Sequence, residues 1–147
     1  MRAENPGRVV TFFDTSVFVA SCQESHPHHL QSLKALGAIS HPHGVCAAHS
    51  FAEFYSVTTR LPPPARATPA AHYLREISRM ITPVALTADE YASGLQRASL
   101  HQVPRGQIYD FLLLACAKKS GAEQILTWNL RHFQTLAPDL ADRIMTP

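Results

Sequence analysis

The feature that most constrains this chain is a short apolar run that passes directly into helix-capping residues. Arg8 to Phe13 (RVVTFF) is β-branched and aromatic, the composition of a buried strand. It ends on Asp14-Thr15-Ser16, three good capping types, and Val17 to Cys22 continues as a short helix. Asp14 therefore sits at the carboxyl end of a strand, where open α/β sheets place their ligands.

The rest of the chain repeats this alternation. His26 to Leu36 reads as a helix with Leu30, Leu33 and Leu36 on one side and Gly37 at its end. His43 to Cys46 is a short strand, and Ala47 to Arg60 a helix with Phe51, Phe54, Tyr55 and Thr58 at helical spacing. The run Leu61 to Pro64 (LPPP) stops that helix, because proline lacks the amide and clashes with the preceding turn. Pro69 to Met80 is helical, and Ile81 to Leu86 is a strand whose Pro83 suits an edge or a distorted start. Thr87 caps a helix reaching Leu100. Gln107 to Lys119 is apolar nearly all round, as a central buried helix is, with Gly121 as its cap. Gln124 to Thr127 is a strand, Asn129 to Phe133 a short helix, and Ile144 marks a last edge strand. The order β-α-α-β-α-α-β-α-α-β-α predicts an α/β fold, with a mostly parallel sheet of four to five strands flanked by helices.

With 147 residues, 46% hydrophobic and 16% charged, the chain has the size and composition of one globular domain over 1–147. Three cysteines, widely spaced and without a C-x-x-C, argue against a disulfide framework or a zinc ribbon. They read as small buried hydrophobes in a reducing cytosol. No apolar run reaches the roughly 18 residues of a membrane span, and the N-terminus has no signal-peptide pattern, so a cytosolic location is expected. The net charge of +2 gives only a modest long-range pull on nucleic acid.

Most of the eleven acidic residues lie in polar surroundings; Asp14, Glu53 and Asp110 lie among apolar and aromatic neighbours, with no Arg or Lys within three residues. Burying an ionised carboxylate costs several kcal/mol unless it is paired or metal-bound. Gathered together the three would also repel, and a divalent cation removes both penalties. Oxygen ligands without paired cysteine or histidine point to Mg²⁺ or Mn²⁺ over zinc. The competing reading is that each acid only caps a helix or closes a turn.

Four segments, VVTFFDTSVFVA (9–20), HSFAEFYSVTTRLP (49–62), GQIYDFLLLACAKKSGA (106–122) and ILTWNLRHF (125–133), resemble in order and spacing the PIN-domain proteins, most of all the VapC-type toxin ribonucleases of bacterial toxin–antitoxin pairs. The resemblance implies that Asp14, Glu53 and Asp110 bind Mg²⁺, with Mn²⁺ able to substitute. It implies that the chain cleaves single-stranded or loop RNA, tRNA or rRNA among them, by a metal-activated water. It implies a VapB-type antitoxin covering the groove and a two-fold homodimer. Many family members carry a fourth acid in a T-x-D pattern; here the pattern is Thr127-Trp128-Asn129, and His132 stands where some toxin-type sequences place an acid. Asn129 can still hold a bound water, so one firm ion is expected over two.

Arg60, Arg105, Lys118, Lys119 and Arg131 are candidate rim cations that offset acid–RNA repulsion, each set against plain solvated surface. Thr15 and Ser16 either bind phosphate at a helix N-terminus or simply cap it. Tyr109 and Trp128 either stack on a base or pack in the core. The clusters His26, His28, His29 and His41, His43, broken by Pro27 and Pro42, read as solvated loop. A strand-ending aspartate also suits aspartyl-phosphate phosphatases, but their D-x-D-x-T pattern fails at Ser16. No G-x-G-x-x-G or P-loop occurs. The non-enzymatic alternative is an RNA- or protein-binding module that keeps the PIN scaffold without its chemistry.

Overall fold

A computed structural model describes residues 9–60 and 67–147. Arg8 and the LPPP run at 61–64 lie outside the described residues. Within them, β1 (Thr11–Phe13) leads into α1 (Thr15–Cys22) and α2 (His29–Gly37), β2 (Gly44–Ala47) into α3 (Ser50–Thr58) and α4 (Ala67–Met80), and β3 (Thr82–Val84) into α5 (Ala88–Leu100) and α6 (Gln107–Lys119). Then come β4 (Gln124–Leu126), α7 (Leu130–Leu136), a 3-10 turn over Pro138–Arg143, and β5 (Ile144–Met145). The strands form one five-stranded sheet in the order β3-β2-β1-β4-β5, every pair parallel.

Both faces of this sheet are covered, which explains why its strands read as continuous apolar runs. Successive side chains point to opposite faces. Phe12, Val45, Ala47, Ile125 and Ile144 pack with Leu113, Leu114, Cys116 and Phe133, while Phe13, Cys46 and Leu126 pack with Val17, Phe18, Phe54 and Ile77. The sheet is thus sandwiched between α6–α7 on one side and α1, α3 and α4 on the other. Cys46 and Cys116 are buried, Cys22 is half-buried, and all are free thiols. No helix of the described residues is long and apolar enough to cross a membrane.

Several elements end where their local sequence implies. Thr87 and Glu90 form a reciprocal capping box, each side chain accepting from the other's backbone amide. Gly121, at φ +69°, ends α6: its amide donates to the Lys118 carbonyl and that of Ala122 to Ala117, the Schellman pattern that favours glycine. Pro83 lies in β3, on the sheet's edge.

Other expectations need correction. The helix read from Ala47 begins at Ser50, because Ala47 still pairs with Val84 in the sheet. Leu30 and Leu33 do not share a buried face with Leu36: they are 75% and 43% exposed, and α2 instead buries Ser32 and Leu36, four residues apart. In α6 the buried stretch is Leu112 to Leu114 with Cys116 and Ala117, while Tyr109 is 64% exposed.

The chain passes from β1 through β2 to β3 on one side, then returns to place β4 and β5 on the other. The direction of winding therefore reverses between β1 and β4. Their carboxyl ends, Asp14 and Thr127-Trp128-Asn129, flank the crevice that such a reversal opens.

Candidate active site

That crevice widens into a cavity of about 510 Å³ whose lining includes Asp14, Glu53, Asp110 and Asn129, with Thr15 and Ser16 beside them. Each arrives on a different element. Asp14 follows β1, Glu53 and Asp110 lie in the first turns of α3 and α6, and Asn129 precedes α7. Residues scattered over more than a hundred positions are brought together because every one of these elements starts or ends at the same edge of the parallel sheet.

Asp14 is almost wholly buried and precedes α1 in extended conformation, but its side chain does not form a well-made N-cap hydrogen bond. Its Oδ2 instead accepts the hydroxyls of Ser16 at 2.6 Å and of Thr127 at 2.8 Å. Burial pushes its pKa up; the Ser16 and Thr127 hydroxyls pull it back, and Asp110 adds to the rise. Glu53 is pushed up to about 7, first by burial and then by Asp14 and Asp110, with Thr15 opposing. The Thr15 hydroxyl is itself buried without a well-formed hydrogen bond. Asp110 has found a partner that its local sequence does not offer: His132 Nε2 lies 2.7 Å from its Oδ2.

The three acids thus share one cavity and repel one another. Among the described residues, no three His, Cys, Asp or Glu side chains yet close on one point as a finished ion cage. Asp14 gives one oxygen to two hydroxyls and Asp110 one to His132. The donor set nevertheless fits a hard divalent ion: carboxylate oxygens, a buried neighbouring hydroxyl at Thr15, and the side-chain amide of Asn129.

The structure separates the remaining candidates. Trp128 is half-buried and lines the cavity, whereas Tyr109 stands exposed outside its lining. None of Arg60, Arg105, Lys118, Lys119 or Arg131 is among the lining residues. Arg60, just past the end of α3, bonds back to Ser56 of that helix. Lys118 pairs with Asp139 at 2.7 Å and Lys119 with Glu90 at 2.7 Å, at the far end of α6, about 12 Å along the helix from Asp110.

His26 and His28 do lie in the loop between α1 and α2, as read, but they are half-buried and line the cavity instead of standing free in solvent. Their route there is a ring contact between His28 and Trp128, which no local periodicity encodes. His49 was also missed. It is half-buried beside Tyr109 and Asp110; burial holds its pKa down, against the pull of Asp110 and a backbone hydrogen bond at Tyr109.

Comparison with known proteins gives a consistent picture. The PIN domain family model matches residues 11–137. Ribonuclease VapC40 of Mycobacterium tuberculosis is 39% identical over 124 residues, covering 83% of this chain and 88% of its own. The crystal structure of VapC20, a sarcin–ricin loop cleaving toxin of the same organism, superposes with a TM-score of 0.63 at 23% identity, over 78% of this chain and 86% of that one. VapBC2 of Rickettsia felis, solved bound to a DNA fragment from its promoter, gives a TM-score of 0.63 at 12% identity, over 92% of this chain and 97% of the matched one. At those identities the two structures speak for the fold.

Proposed function

The chain belongs to the PIN-domain family as a ribonuclease of the VapC toxin type, and from that premise we propose that it cleaves single-stranded or loop RNA at the cavity holding Asp14, Glu53 and Asp110. The observation that carries this reading is the convergence of Asp14, Glu53 and Asp110 on one cavity, where burial and the two neighbouring carboxylates push Glu53 up to about 7. Three acids held this way burden the fold unless a cation joins them, and such burdens concentrate where chemistry is done.

Asp14, Glu53 and Asp110 are assigned as ligands of one divalent ion, Mg²⁺ with Mn²⁺ as substitute, and Asn129 as the neutral oxygen at the fourth corner. When bound, that ion supplies a Lewis acid for the scissile phosphate and lowers the pKa of the attacking water. The chain's own residues do the positioning. Ser16 and Thr127 hold Oδ2 of Asp14 and so fix the orientation of its carboxylate. His132 holds Asp110 in the same manner. Thr15, at the start of α1, receives a phosphate oxygen. Arg60, Lys118 and Arg131 act outside the cavity, on phosphates of the flanking strand.

The unit of function is the whole chain, 1–147, in a bacterial cytosol. Its partners are a VapB-type antitoxin over the groove, a second copy in a two-fold dimer, and a structured RNA such as tRNA or rRNA, cut in a loop where bases are accessible. The test is cleavage of total RNA with Mg²⁺ or Mn²⁺ and mapping of the new ends. Discrete loop cuts that vanish in chelator are expected. RNA binding without any cut in either metal would return the non-catalytic scaffold reading.

A further inference from the structure

The cavity has a second wall that the carboxylates do not explain. It is made of rings: His26 and His28 from the turn between α1 and α2, and Trp128 from the turn after β4. The His28 imidazole lies flat on the Trp128 indole, centroids 3.7 Å apart and planes within 8°. His26 leans against His28 at 5.7 Å, and its Nδ1 accepts the His28 amide at 3.1 Å.

Trp128 is fixed from behind. Its Nε1 donates to Oγ of fully buried Ser32 at 2.9 Å. Its amide donates at 3.0 Å to Ser16 Oγ, the hydroxyl that in turn donates to Asp14 Oδ2. Two hydrogen bonds therefore tie the ring wall to the acid corner, so that the two keep a set spacing. Burial, then His28 and His29, hold His26 below the ordinary imidazole value. A flat, pre-positioned aromatic face is well suited to a base, since every base offers a π surface.

We propose that the His26–His28–Trp128 wall is a base-binding subsite, on which the nucleobase next to the scissile phosphate packs while that phosphate lies at the carboxylates. The proposal rests on the ribonuclease reading of the cavity and adds the group that grips the substrate. The volume of about 510 Å³ is within the range of small-ligand sites.

Trp128 is the chain's one tryptophan, so its fluorescence reports on the wall directly. The experiment is stopped-flow mixing of the protein in Mg²⁺ with a single-stranded RNA decamer bearing all four bases, or with an abasic ribose-phosphate strand of equal length. Only the base-bearing strand should quench Trp128 in the first phase, before turnover, and it should bind at least about five-fold tighter. His28→Ala should lose about that factor for the RNA and nothing for the abasic strand, and His28→Phe should restore it. Equal quenching by the abasic strand, or a His28→Ala variant that matches wild type on RNA, would overturn the subsite. Cleavage is scored in the same reactions. Quenching with no cleavage of this decamer or of total RNA leaves the subsite standing and removes the ribonuclease reading, whereas cleavage without quenching does the reverse.

Discussion

At its amino end, α6 presents Asp110 to a cavity where Asp14 and Glu53 are held above their ordinary pKa values. At its carboxyl end, Lys118 and Lys119 pair in the open with Asp139 and Glu90, whose carboxyls they draw below the ordinary range. One helix thus carries a satisfied pair of charges at one end and part of an unsatisfied cluster at the other. The satisfied end fits simple dipole and ion-pair rules. The unsatisfied end works against the stability of the metal-free fold, and a fold keeps such an arrangement where a ligand repays it.

The largest expected difference between the two ends is in catalysis. Asp14→Asn, Glu53→Gln and Asp110→Asn should each lower the RNA cleavage rate by about 10²–10³-fold or more, with circular dichroism unchanged. Full activity in all three would erase the distinction.

Stability should separate the ends next. Glu53 has its folded pKa raised from 4.5 to about 7, so the folded state holds a proton that the unfolded chain releases. Its favourable contribution is complete below the unfolded value and is lost as pH rises through about 7. Metal-free Glu53→Gln, which lacks this charge, should therefore melt a few degrees above wild type at about pH 8 and show a flatter Tm profile between pH 5 and 8. Thermal melts that run parallel across that window would contradict the assigned electrostatics.

The part of this contrast that the sequence displays is the part encoded locally. The apolar settings of Asp14, Glu53 and Asp110, the Thr87 cap and the Gly121 stop are all visible within a few residues of each site. What was not legible depends on partners distant in the chain. Asp110 meets His132 across 22 positions and Asp14 meets Thr127 across 113, and neither partner's neighbours announce the contact. The α2 leucines misled because helical spacing shows which residues share a face without saying which face meets the core; Ser32, behind Trp128, took that place.

Smaller effects should sharpen the comparison. His132→Ala removes the group holding Asp110 and should weaken Mn²⁺ binding by about 10–100-fold, the usual scale for losing a ligand's supporting hydrogen bond. An unchanged Mn²⁺ titration would reduce His132 to a bystander. Lys118→Ala, at the satisfied end, should cost under about 1 kcal/mol in chemical denaturation. It should also lower the salt slope of RNA binding by no more than about one. A loss of cleavage as large as that of the acid variants would mean that the two ends of α6 are not functionally distinct.

The most direct measurement is calorimetric titration of Mn²⁺ into wild type and Glu53→Gln near pH 7, repeated in buffers of different ionisation enthalpy so that proton release can be counted. Metal needs the ionised carboxylate, and near pH 7 about half of the Glu53 groups still carry a proton. Wild type should bind Mn²⁺ saturably with release of a fraction of a proton, and Glu53→Gln should bind it more weakly without that release. Binding that releases no proton from wild type, or that is equal in the two proteins, would rule out Glu53 as a ligand.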